Sequence, residues 1–184
     1  MSFDYTTGSP AGTVKFSREA ADVQRCHTIR TIGEYSIGHH SYNMLLTLRI
    51  LWPDAPKELV WAIIEHDIPE RLTGDIPSPS KWAGIVDVAR LFEFEQYLMI
   101  GVYGAHHESM LDEDLTKWLK GLDLLELWMF ARDQVAMGNS PFGSMVRRID
   151  RFIKNNPHLI APKVLDLYYE MRSMSWERMP ELGD

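Results

Sequence analysis

The chain has 184 residues, 45% of them apolar and 24% charged, with six tryptophans, one cysteine and a net charge of −7. That length and balance fit a single folded domain that can bury a core without staples. The acidic charge without a long basic run excludes broad electrostatic binding to a nucleic acid polymer. No apolar stretch approaches the ~20 residues that span a bilayer, and a lone Cys26 excludes an intrachain disulfide or a cysteine-built zinc cage.

In chain order, residues 1–17 carry Gly, Ser and Pro and read as an irregular arm before a domain over 18–184. They lack the basic and apolar regions of a secretory signal, so a cytoplasmic location is expected. A helix is expected after Ser17, with Glu19 near its start and Arg25 to Arg30 near its end. A second helix is predicted over 37–51, where His40, Met44, Leu48 and Leu51 share one face. Asp54 reads as the N-cap of a third helix over 55–67, with Pro56 in its first turn. Leu59, Ile63 and His66 form one stripe of it, and Val60, Ile64 and Asp67 the next. Pro69 should stop this helix near Asp67, because it lacks an N–H and crowds the carbonyl four residues back. Residues 68–81, IPERLTGDIPSPSK, then read as a structured loop, and further helices are expected at 86–103, 111–137, 141–154 and 160–179. No run alternates with period two, so the fold class is all-α, one domain. In the last helix Tyr168, Tyr169, Met171, Met174 and Trp176 fit either core packing or a subunit interface.

Two histidines and two aspartates stand out by position. His40 lies on an apolar stripe, His66 and Asp67 close a helix where it must break, and Asp123 interrupts the leucine-rich run around Leu119, Leu127 and Phe130. A carboxylate on such a face costs several kcal/mol, roughly, unless a positive charge compensates it. Lys120 is one candidate and a metal ion another. Two imidazoles and two carboxylates suit one divalent ion such as Co, Mn, Fe, Ni, Zn or Mg. Taken singly, His40 reads as a satisfied core histidine and Asp123 as half of a buried ion pair, and spacing alone leaves both readings open.

The pattern His40, His66-Asp67, Asp123 resembles the H…HD…D signature of the HD-domain phosphohydrolases. The stretch from Arg25 to Ser41, with HDIPERLTGDIPSPSKW at 66–82, looks like the 5′-deoxynucleotidase branch, and is similar too to phage HD enzymes that hydrolyse dATP. The resemblance implies an HD helical bundle in which His40, His66, Asp67 and Asp123 hold the metal. It implies a catalytic role for Glu70 and substrate contacts for Arg25, Asp75, Lys81 and Lys120. The substrate would be a small nucleotide, cleaved either as a 5′-monophosphate or as a deoxynucleoside triphosphate, and relatives are homo-oligomers, dimers or higher. A nucleotide-binding sensor with a silent site is the competing reading, and a purely structural helical protein a third, which the long Pro-rich loop argues against. One departure is Arg25-Cys26-His27, where the family commonly has Trp after the arginine, so base and sugar preference do not carry over. His27 can reach a ligand or cap a helix end, His39 points to another face, and His106 and His107 read as surface.

Overall fold

Ser9 and Pro10 start the first helix. The Ser9 hydroxyl accepts the Gly12 N–H at 3.2 Å and Pro10 takes the first helical position, where its missing N–H costs nothing. Helix α1 (Pro10–Ala21) therefore begins inside the stretch expected to be an irregular arm, and Arg25 to Arg30 lie beyond it in a loop rather than at its end. The computed structural model describes residues 9–176.

The loop is pinned by an isolated antiparallel bridge between Gln24 and Ser36, with the Arg25 N–H on the Tyr35 carbonyl at 2.7 Å. Ser36 caps α2 (Ile37–Leu51), whose bounds match those expected. Helix α3 (Lys57–Glu65) starts later than read: Pro56, not Asp54, is its N-cap residue, and no side chain caps it. The backbone turns at His66, so the His-Asp pair sits just past the helix. The 68–81 segment is less irregular than expected and holds two short helices, α4 (Glu70–Thr73) and α5 (Ser78–Trp82). Gly74 separates them at φ +69, a conformation that favours glycine. Then follow α6 (Val88–Tyr103), α7 (Glu113–Ala136), α8 (Gly143–Asn155) and α9 (Pro162–Ser173), with 3-10 turns at 107–110, 140–142 and 157–159. Of the helix expected over 160–179, residues 177–179 lie outside the described part, and the observed helix stops at Ser173. No strand occurs among the described residues, and none of their helices is long and apolar enough to cross a membrane.

Helix α7 is the axis of the core. Its Leu119, Leu122, Leu125 and Trp128 are buried against Met44 and Leu48 of α2, Leu59 and Ile63 of α3, Ile149 and Ile153 of α8 and Val164 of α9. Trp128 Nε1 and the Tyr168 hydroxyl both donate to Asp150, at 2.9 and 2.7 Å, which satisfies two polar tips inside an apolar cluster. Tyr168 is thus core and Trp176 packs edge-on against Trp128, while Tyr169 and Met174 are exposed, so the five residues do not form one exposed patch.

Gly121 lets α9 approach this axis. A Cβ added there would meet Ile160 Cγ2 at 2.8 Å and Val164 Cγ1 at 3.3 Å, and both neighbours are buried. Gly121→Ala gains about 1 kcal/mol of helix propensity but forces overpacking that costs roughly 1–3 kcal/mol. A net loss of stability is the expected outcome, read as a lower urea midpoint at unchanged slope.

Candidate metal and active site

Helix α2, the end of α3 and the middle of α7 meet at one point. His40, one turn into α2 on the face of Met44 and Leu48, is fully buried. One ligand-type atom from each of His40, His66 and Asp123 lies within 4.8 Å of the other two. His40 Nε2 is 3.1 Å from Asp123 Oδ1. Asp67 borders this group rather than joining it. Its Oδ2 is 3.2 Å from His66 Nε2 and 3.8 Å from His40 Nε2, and it is engaged by Arg25 Nη1.

Hydrogen bonds on the far side of each ring decide which nitrogen faces inward. His66 Nδ1 lies 2.9 Å from the Ile63 carbonyl, which can only accept, so Nδ1 carries the proton and Nε2 is left as a lone pair. That Nε2 is buried and has no hydrogen-bond partner. A lone pair held 3.2 Å from a carboxylate oxygen is unfavourable unless a cation lies between them. The residues therefore fit a divalent metal, and the N/O donor set is of the type that such ions prefer.

Charge at the site is organised accordingly. Burial, with help from His40 and Arg25, pushes His66 down to about 3, so its ring is neutral. Burial opposes ionisation of Asp123, but His40 and Arg25 outweigh it and hold the carboxyl well below its ordinary range. The compensating charge for Asp123 is Arg25, at 3.4 Å, rather than Lys120, which lies exposed one turn earlier on α7. The Arg25 guanidinium thus spans Asp67 and Asp123.

Glu70 opens α4 and is buried, with Oε2 lacking a partner. Burial raises it to about 7 against the pull of Arg25 and Lys81, so near neutrality it can both hold and release a proton. Lys81, half-buried on α5, pulls electrostatically against the burial-raised carboxyls of Glu70, Glu95 and Glu108. Asp75 is occupied by the protein itself: it accepts the Cys26 N–H at 2.8 Å and lies 3.7 Å from His27 Nδ1. Cys26 has φ +56, and is the sole non-glycine residue at positive φ among those described, so Asp75 holds a strained turn next to Arg25. Asp75→Ala is expected to leave metal affinity unchanged and lower kcat/KM by about 10-fold or more, by releasing that turn.

One further assignment changes. His106 is buried edge-on to Phe92 rather than at the surface, while the half-buried His107 is tied inward, its Nδ1 meeting Glu65 Oε2 at 2.8 Å. The left-handed Gly104 ends α6 and folds the 107–110 turn back onto α3. Arg71 pairs with Glu19 at 2.8 Å and takes no part in the site. Beside Arg25 opens a mostly apolar cavity of 160 Å³, lined among others by Cys26, Ile29, Pro79, Leu127 and Met145.

No protein-family model and no curated protein sequence matches the chain. Among solved structures it is similar to that of the cyanophage S-2L HD phosphohydrolase DatZ bound to dA and one catalytic zinc ion. The TM-score is 0.66 over 85% of this chain and 94% of that one, at 17% identity. The chain has the fold of an HD phosphohydrolase. Within that HD fold, three residues went unread in the sequence: Glu126 and Tyr35, which contact His40, and Gln134. Gln134 ties the 26–36 loop to α7 by exchanging two 2.8 Å hydrogen bonds with Ile32. Glu126 was legible, because it lies three residues after Asp123 on the same apolar helix.

Proposed function

We propose that the protein is a divalent-metal-dependent phosphohydrolase acting on small nucleotides. The observation that carries this reading is the bare, buried Nε2 of His66 facing carboxylates, next to an arginine and an apolar cavity. His40, His66 and Asp123 would hold the ion, with Asp67 available once Arg25 turns to a phosphate. A bound divalent ion supplies Lewis acidity toward a phosphate oxygen and an acidified water. Arg25, Lys81 and Lys120 neutralise phosphate charge, a condition an acidic chain must meet locally to accept an anion. Glu70, able to exchange a proton near neutrality, serves proton transfer to or from the reacting oxygens. The cavity behind Arg25 takes the nucleoside, with Cys26 in its wall where the family commonly places Trp. The structural relative was solved with dA and one catalytic zinc ion, which supports a nucleoside-type ligand beside a metal.

The test is to strip the protein, reload it with Co²⁺, Mn²⁺ or Zn²⁺ and resolve products from a panel of NMPs, dNMPs, NTPs and dNTPs, with Asp67→Ala alongside. Nucleoside plus phosphate from monophosphates establishes a 5′-nucleotidase, and nucleoside plus tripolyphosphate from a dNTP a triphosphohydrolase. Metal binding with no turnover of any nucleotide would leave the sensor reading in its place. Self-association and a cytoplasmic location, expected from the resemblance and the sequence, belong to the same proposal, and light scattering reads the first directly.

A further inference from the structure

Glu126 is a carboxylate almost fully enclosed in the core of α7, at 3% exposure, and its surroundings are all donors. Its Oε2 receives both the Tyr35 hydroxyl and His40 Nδ1, and its Oε1 accepts Asn43 Nδ2 at 3.2 Å. An oxygen that already accepts the Tyr35 hydroxyl serves His40 as an acceptor too, so the ring proton of His40 belongs on Nδ1. The opposite nitrogen, Nε2, is thereby turned toward Asp123 Oδ1, 3.1 Å away. Tyr35 is equally fixed: its ring stacks on Phe130 with centroids 3.7 Å apart, and it is 1% exposed. Its backbone carbonyl takes the Arg25 N–H at 2.7 Å, and the Arg25 guanidinium lies over its ring at 5.7 Å. One tyrosine therefore touches both the group that orients His40 and the arginine that spans the acidic ligands.

We propose that Glu126 is a positioning residue for the metal site, holding His40 in the Nδ1–H form with Nε2 presented to the ion, and that Tyr35 ties this arrangement to Arg25. The inference rests on the metal-dependent reading above and deepens it. A carboxylate behind a ligating imidazole fixes ring orientation and raises its basicity, and losing such a partner weakens metal binding by about 10–100-fold. Tyr35 and Asn43 complete the carboxylate's hydrogen bonds, so the buried group is fully partnered and its orientation is fixed.

The test measures Co²⁺ and Zn²⁺ affinity by chelator competition in the wild type, Glu126→Gln, Glu126→Leu and Tyr35→Phe, below the melting temperature of each. The visible spectrum of the Co²⁺ forms is recorded alongside. Glu126→Leu should lose about 100-fold in affinity and Glu126→Gln about 10-fold, because the amide still accepts a hydrogen bond without the charge. Tyr35→Phe should fall between Gln and the wild type, and the Co²⁺ bands should shift in the same order. A residue that merely stabilised the core would lower the melting temperature and leave affinity and spectrum of the folded protein in place. Where Glu126→Leu does not fold, the Gln variant and the ¹⁵N spectrum of the Zn²⁺-loaded wild type decide: the proton must be on His40 Nδ1. Affinities of the variants within twofold of wild type, or a proton on Nε2, overturn the proposal. A wild type that binds no divalent ion overturns the metal reading itself, and so is distinguished from failure of this inference.

Discussion

Replacing His66 with alanine is expected to abolish specific divalent-metal binding and to lower kcat by at least ~10³-fold. An ion in such a site contributes several kcal/mol of transition-state charge stabilisation. Its Nδ1 is committed to the Ile63 carbonyl and its Nε2 has no partner in the protein, so the side chain has no other polar task. The stability readout separates this from a folding defect. Ion at one hundred times its Kd should stabilise the wild type by about 2.7 kcal/mol, whereas the melting temperature of His66→Ala should not respond to the ion. A metal-dependent shift retained in the variant would remove His66 from the ligand set.

Arg25→Met is expected to damage the protein twice, and in separable ways. Arg25 is nearly enclosed and pairs with Asp67, which is also largely buried, so removing the guanidinium leaves an uncompensated carboxylate. Breaking a buried pair from one side costs about 3 kcal/mol. The contact to Asp123 is longer, at 3.4 Å, and adds less. Without metal the variant should therefore unfold at markedly lower urea than the wild type. Added divalent ion should close most of that gap, because it supplies the charge the arginine no longer does. Activity should stay low even with the ion bound, down by about 10²-fold in kcat/KM, for want of the phosphate partner. Recovery of stability together with full activity would show that Arg25 serves only the fold.

How much of this was legible in the sequence depended on range. Helix α2 and its His40 followed from a stripe of apolar side chains one turn apart, and the observed bounds are those of the periodicity. The start of α1 is ambiguous in the sequence because Ser and Pro favour loops, yet Ser9-Pro10 is equally a helix-start signal. The 68–81 segment carries too many prolines for a periodicity argument, yet Pro79 sits in the first turn of α5, where it is tolerated. Asp123 was found by its position among leucines, and the same argument applied three residues on would have found Glu126. Its partner could not be found that way. Arg25 arrives from 98 residues earlier in the chain, and Lys120 was the near candidate that local spacing suggested. Likewise His107 meets Glu65 only because the chain turns back at Gly104. Local chemistry is written in short windows of sequence, and pairing across the bundle is not.

The three residues that draw together at the centre come from three separate elements, α2, the end of α3 and α7. An ion gripped by all three is a cross-link. Like any cross-link it restricts the open chain, and its effect grows slowly with the length of the loops it closes. Its mark should be topological rather than local: amide hydrogens along α2, α3 and α7 should exchange more slowly together when the ion is bound. Helix α9 supplies none of the three residues and should slow less.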